Sequence, residues 1–100
     1  MKPFRQITIL GLGLIGGSIA LDVKKLRLAK RVVAYNRSAA RRRLAKKLGA
    51  CDEVTGDPRA AVRGADLVIL ATPVQTIVPL AKKIAPILDK NTLITDVAPV

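Results

Sequence analysis

The spacing Gly11-Leu12-Gly13-Leu14-Ile15-Gly16 places glycines in a turn that follows the apolar run Ile7-Thr8-Ile9-Leu10. The chemistry this suits is anion binding by main-chain amides. Glycine at the first offset permits a tight turn, and at the second it lets a pyrophosphate approach the backbone. At the third it allows close packing of helix on strand. The N–H groups from Leu12 to Ile15 then face a diphosphate, and the positive end of the helix that begins there adds to the attraction. Gly17 extends the run of small residues, and close packing accounts for it as well as ligand approach does. Ordinary packing glycines can give the same bare pattern. Its place between a strand and a helix is what makes the dinucleotide reading specific.

The next residues able to do chemistry come some twenty positions later, where dinucleotide folds carry their ribose-binding group. There the chain reads Tyr35-Asn36-Arg37-Ser38, followed by Arg41-Arg42-Arg43. An acid at position 36 would hold both ribose hydroxyls of NAD and repel a 2′-phosphate. Asn36 does neither. Arg37 can meet a phosphate or lie across an adenine face, and Ser38 can donate a hydroxyl. Arg41 falls in the first turn of a helix, where a cation opposes the helix dipole unless an anion binds beside it. NADP is therefore the expected cofactor; the alternative is that the arginines face water and Asn36 serves NAD. Ala71-Thr72-Pro73-Val74 and Thr95-Asp96-Val97 stand at the C-terminal ends of strands, where doubly wound sheets bind ligands. Thr72 and the backbone from Ala71 to Pro73 would line the ribose or nicotinamide, or else form a turn without contacts. Asp96 would order the nicotinamide side or cap a loop. Neither segment offers a group suited to acid–base work near neutral pH. The chain contains no histidine. No catalytic residue and no metal ligand set is assigned.

The elements that must position these groups alternate in type. Ile7–Leu10 reads as a strand, and a helix from Leu14 to Lys25 buries Ile15, Ile19 and Val23. Val32–Tyr35 follows as a continuous apolar strand. Ser38 caps a helix with Ala40, Leu44 and Leu48 inward, which stops at Gly49. Cys51–Thr55 is a brief strand or extended connection. Asp57-Pro58 opens a short helix to about Arg63. Leu67–Leu70 is a strand, and Thr76 caps a helix carrying Ile77, Leu80, Ala81, Ile84 and Leu88, with Pro79 in its third place. Leu93–Thr95 is the last strand. Such alternation implies βαβ crossovers and a mostly parallel sheet with flanking helices. The expected fold is α/β and Rossmann-like with an incomplete second half, forming one partial NAD(P)-binding domain over residues 1–100.

Composition narrows the partners. Half of the residues are apolar, enough for a core, yet Phe4 and Tyr35 are the only aromatics. The formal charge is +11, and residues 1–50 hold thirteen of the eighteen cations against a single acid, Asp22. Without stacking aromatics or a reading helix, nucleic acid is not the expected partner. A solvated face, or a face toward an acidic domain, is the plainer account. The lone Cys51 has no histidine to activate it and fits a reducing compartment. The basic start followed by glycine-interrupted apolar residues reads as mature structure rather than a leader. No apolar run is long enough to span a membrane. A cytoplasmic location is expected.

With these residues in place, the chain resembles the nucleotide-binding domain of the prephenate/arogenate dehydrogenases, the oxidoreductases of tyrosine biosynthesis. The resemblance rests on Gly11 to Ser18 with Ala20-Leu21, Val33-Ala34-Tyr35-Asn36-Arg37-Ser38, Leu48-Gly49-Ala50 and Asp52-Glu53-Val54. It continues through Ala65-Asp66-Leu67-Val68, Ala71-Thr72-Pro73-Val74 and Thr95-Asp96-Val97. It implies oxidative decarboxylation of prephenate or arogenate with hydride passing to the nicotinamide, and a homodimer assembled through a helical C-terminal domain. Two departures stand out. Asn36 replaces an aspartate common in the family, which looks like the NADP-preferring branch. Ala98-Pro99-Val100 stands where relatives continue Gly-Ser-Val-Lys, so Pro99 replaces a serine that looks important near the nicotinamide. The family's catalytic histidine and helical domain belong further downstream, so turnover near zero is expected of these residues alone. The competing readings are the cofactor domain of a 3-hydroxyacid dehydrogenase or pyrroline-carboxylate reductase relative, and a non-catalytic nucleotide-binding fragment.

Overall fold

The structure, a computed structural model, describes residues 2–97. Five parallel strands form one sheet in the order β3-β2-β1-β4-β5. They are β1 (Phe4–Leu10), β2 (Ala29–Tyr35), β3 (Glu53–Thr55), β4 (Leu67–Leu70) and β5 (Leu93–Asp96). The helices between them are α1 (Leu14–Lys25), α2 (Ala39–Lys47), α3 (Pro58–Val62) and α4 (Val74–Ile84), the last followed by a 3-10 turn at Ala85–Ile87. The Ala98-Pro99-Val100 departure, including Pro99, lies outside the described residues.

Each face of the sheet has its own core. On one, Ala20 and Val23 of α1 and Ala45 of α2 pack on Ile7, Ile9, Val32 and Ala34. On the other, Ala61 and Val62 of α3 and Ile84 of α4 pack on Leu10, Val33, Val68 and Leu70. Burial on both faces explains why Val32–Ala34 of β2 and Leu67–Leu70 of β4 are unbroken apolar runs and why the middle of β1 is apolar but for Thr8. It also brings the C-terminal ends of β1, β2 and β4 side by side, with Leu10 level with Tyr35 and with Leu70.

Several expectations need correction. β1 and β2 begin earlier than Ile7 and Val32, because the parallel ladder pairs the partly buried Phe4 with Ala29, and Gln6 with Arg31 despite their polar side chains. The inward stripe of α1 is Gly16, Ala20 and Val23, while Ile15 is exposed and Ile19 only partly buried. Small residues face the sheet because α1 lies too close for larger ones. In α2 the inward residue is Ala45; Ala40, Leu44 and Leu48 are exposed. Thr76 is not a cap. α4 begins at Val74 behind Pro73, and the Thr76 hydroxyl donates to the Pro73 carbonyl at 2.7 Å from within the first turn. Pro79 accordingly stands inside the helix rather than third in it.

Two polar side chains sit inside the second core. The Thr8 hydroxyl donates to the Ala61 carbonyl at 2.7 Å, and Gln6 Nε2 donates to the carbonyls of Ala61 (3.3 Å) and Arg63 (3.1 Å). A helix as short as α3 leaves its last carbonyls without helical partners. These side chains of β1 supply partners and so fix α3 under the sheet.

Candidate cofactor site

The site begins at the turn between β1 and α1. Gly11 has φ +114°, a conformation that side chains disfavour, and a Cβ there would stand 2.7 Å from the Ala71 carbonyl oxygen. A Cβ on Gly16 would lie 2.0 Å from the Gly11 carbonyl oxygen. Both glycines are demanded by the packing of the turn. Gly13 differs: its φ is −69°, and no protein atom lies within 4 Å of where its Cβ would be. Nothing within the chain requires glycine there. Its hydrogens face open space at the mouth of a cleft, beside the uncapped N-terminus of α1, which has neither a side-chain cap nor an acid in its first turn. The amides of that first turn lack helical acceptors and are free to meet an anion.

The cleft has a volume of about 490 Å³ and runs over the ends of β1, β2 and β4. Of the residues singled out in the sequence, Gly11, Gly13, Asn36, Arg37, Ser38, Arg41, Ala71, Thr72 and Pro73 line it. Leu12 and Leu14 instead face a separate groove between α1 and α2. Ile15, Gly16 and Asp96 line neither. Asp96 ends β5, exposed and level with Leu70. Lining residues that the sequence reading missed are Tyr35 and, from α4, Thr76, Pro79, Leu80 and Lys83. The last four recur at helical spacing and form one stripe of α4. That signal was present in the sequence, but there it reads as core.

The loop after β2 is held from behind. Arg42 Nη1 donates to the carbonyls of Asn36 at 2.8 Å and Arg37 at 3.0 Å. A Cβ on Gly56 would come 2.9 Å from that same nitrogen, so this glycine leaves the guanidinium room. Ser38 caps α2, its hydroxyl oxygen accepting the Arg41 N–H at 3.3 Å. The three consecutive arginines thus divide their work: Arg42 braces the loop, Arg41 lines the cleft, and Arg43 lies exposed.

Charge and unmet hydrogen bonds describe what the cleft would accept. Its charged lining residues are Arg37, Arg41 and Lys83, and no acid lines it. None of the three takes part in the salt bridges found among the described residues. Asn36 Nδ2 and Thr72 Oγ1 are buried without a hydrogen-bond partner, and a buried polar atom left unpaired costs about 1–3 kcal/mol. Both belong to residues lining the cleft. A ligand rich in oxygen acceptors and carrying negative charge satisfies all these groups together. The dinucleotide phosphates and ribose have that chemistry, so the residues present fit the cofactor.

Elsewhere the chain offers little reactive chemistry. Cys51 is buried, and that burial pushes its thiol above the usual range, the nearby Lys24 charge countering only in part. It packs in the core as a protonated thiol. Among the described residues no group of His, Cys, Asp or Glu could hold a metal. No helix among them is long and apolar enough to cross a membrane.

Comparisons with known proteins agree with this geometry. The family described as prephenate dehydrogenase, nucleotide-binding domain, matches residues 19–100. Cyclohexadienyl dehydrogenase of Zymomonas mobilis is 42% identical over 96 residues, covering 96% of this chain and 33% of the relative. Among solved structures, prephenate dehydrogenase of Aquifex aeolicus with hydroxyphenyl propionate and NAD+ superposes at TM-score 0.87 with 28% identity, over 96% of this chain and 34% of that one. Arogenate dehydrogenase of Synechocystis gives TM-score 0.87 with 33% identity, over 95% of this chain and 33% of that one. The chain therefore spans about a third of the length of these relatives. With a family match across most of its residues and a fold shared with these dehydrogenases, the chain belongs to the prephenate dehydrogenase family, as its nucleotide-binding domain.

Proposed function

We propose that this chain is the NADP-binding part of a cytoplasmic prephenate or arogenate dehydrogenase, a homodimer when whole. The observation that carries the cofactor site is Gly13, a glycine that no contact in the fold requires, at the mouth of a cleft lined by cations. In this reading the amides of the α1 first turn hold the diphosphate, and Gly13 lets it approach. Asn36 Nδ2 donates to the ribose or its phosphate, with Arg37, Ser38 and Arg41 around the 2′-phosphate. Ala71, Thr72 and Pro73 line the path toward the nicotinamide, and Asp96 stands at the far strand end. When bound, the dinucleotide supplies the hydride acceptor for oxidative decarboxylation of the substrate.

The preference for NADP rests on Asn36 and on the absence of an acid among the lining residues. The NAD+ in the Aquifex aeolicus structure belongs to that relative. No lining residue is a histidine or a carboxylate that could move a proton at neutral pH. In this reading, turnover draws on groups that the cleft lining does not supply.

Calorimetric titration of the chain with NADP and with NAD tests the reading. NADP should bind at least about tenfold more tightly at low ionic strength, a difference of about 1.4 kcal/mol. Gly13→Ala should weaken both cofactors by a similar factor. Its unfolding free energy should stay within about 0.5 kcal/mol, because alanine tolerates this backbone and meets no neighbour. Unchanged cofactor affinity in Gly13→Ala would overturn the site, and equal affinity for NAD and NADP would overturn the cofactor assignment.

A further inference from the structure

The third cation of the cleft lies outside the loop that dinucleotide folds use to read the ribose. Lys83 is in the last turn of α4, which crosses to the opposite side of the sheet from α2, and it reaches the same cleft as Arg37 and Arg41. Its place there follows from helical periodicity. Thr76, Pro79 and Leu80 line the cleft one and two turns earlier, so Lys83 is the next member of the same stripe. The apolar stem of lysine can lie along Leu80 while its ammonium extends into the opening.

The ordinary account of a lysine here is the helix dipole, since cations are favoured in a last turn. Lys82 occupies that same turn and would serve the dipole equally, yet it does not line the cleft. A second ordinary account is an ion pair. No salt bridge among the described residues involves Lys83, and no acid lines the cleft beside it. Three cations from three separate elements thus converge on one opening with no protein anion to balance them. A cleft lined by cations of one sign and no acid favours a bound anion.

We infer that Lys83 is a specificity-determining residue of the cofactor site, a cation on α4 that closes the seat for the adenosine 2′-phosphate opposite Arg37 and Arg41. The inference rests on the NADP reading above. It assigns to α4 a part in choosing between the two dinucleotides, which would otherwise belong to the loop after β2 and the first turn of α2.

The test is the affinity of the chain for NADP and for NAD in three forms: unaltered, Lys83→Met and Lys82→Met. Methionine keeps the stem and removes the charge, and thermal melts confirm that each variant folds. Lys83→Met should lose about tenfold in NADP affinity while its NAD affinity changes by less than about twofold. The salt dependence of its NADP binding should flatten as well. Lys82→Met should leave both affinities and their ratio unchanged. If Lys83→Met keeps the NADP-to-NAD ratio of the unaltered chain, the inference is overturned and the NADP reading stands. Equal weakening of both cofactors would also overturn it, since that marks a general structural role. Equal affinity of the unaltered chain for the two cofactors would overturn both readings together.

Discussion

Single residues in the turn after β1 serve two different purposes that the sequence spacing cannot separate. Gly11 and Gly16 answer to the protein, because any side chain there meets the Ala71 or Gly11 carbonyl oxygen. Gly13 meets no such neighbour, and on the proposed reading it answers to the ligand. A similar division holds in the arginine run, where Arg42 is committed to two carbonyls and only Arg37 and Arg41 remain for the cleft. The 2′-phosphate reading therefore has a sharp consequence at Arg37. Arg37→Asp removes a cation and places a carboxylate where it repels a phosphate and accepts from ribose hydroxyls. We expect NADP affinity to fall by about tenfold to a hundredfold, as loss of a charge-assisted contact plus new repulsion implies. NAD affinity should hold or rise. Stability should change little because Arg37 is exposed. Fluorescence titration with both cofactors checks it, and a parallel loss of both would argue that Arg37 only stacks on the adenine.

At the scale of elements, the central strands were readable because buried parallel strands are apolar on both faces. Leu67–Leu70 matches β4, and Leu14–Lys25 matches α1. The rotation of each helix was not readable. In α1 the bulky residues suggest a stripe through Ile15, but close approach to the sheet selects Gly16 and Ala20 instead. In α2 the leucines point away because the short Ala45 is what fits. The part of α4 in the cleft was illegible for a related reason: Leu80 has the spacing of a core residue, and only the folded arrangement shows the cleft beside it. The polar pair on β1 was illegible as well, since Thr8 sits within what reads as an apolar run and Gln6 stands before it. Their purpose lies in α3, distant in sequence. Gln6→Leu removes the donor to the Arg63 carbonyl and one of two donors to the Ala61 carbonyl, which Thr8 still satisfies. We expect a loss of about 1–3 kcal/mol, the range for a buried polar group left unpaired, read as a lower urea midpoint with unchanged slope. A variant as stable as the unaltered chain would show that water replaces the lost donor.

Over the whole molecule the dominant physical fact is charge. The chain carries +11, concentrated in its first half, and such self-repulsion works against a compact state. What opposes it locally is a small set of carboxylates that join elements distant in sequence. Asp66, which precedes β4, accepts from the Arg5 backbone N–H at 2.6 Å and from its guanidinium at 3.0 Å, tying the start of β1 to β4. Those contacts hold the Asp66 carboxyl below its usual range. Asp52 accepts from the Val32 N–H at 2.7 Å and from Lys24 Nζ at 2.9 Å, tying the approach to β3 onto β2 and α1. Burial acts to raise its pKa, but these bonds and the charges of Lys24 and Arg31 outweigh it, and the net shift is downward. Both groups bind a proton less readily folded than unfolded, so each stabilises the fold at pH values above the unfolded carboxylate range. That contribution disappears as pH falls through the lowered folded values. Protonation does a second thing, because neutralising all seven acids would leave eighteen cations unopposed. Stability should therefore be flat from about pH 7 to pH 5 and fall steeply below about pH 4, where carboxylates titrate. Added salt should lessen the fall by screening the cations. Asp66→Asn and Asp52→Asn, melted by circular dichroism across that range, separate the two causes. Each should be less stable than the unaltered chain at pH 7 and converge with it at the acid end. A constant difference at every pH would mean that the carboxylates act through geometry and not through charge.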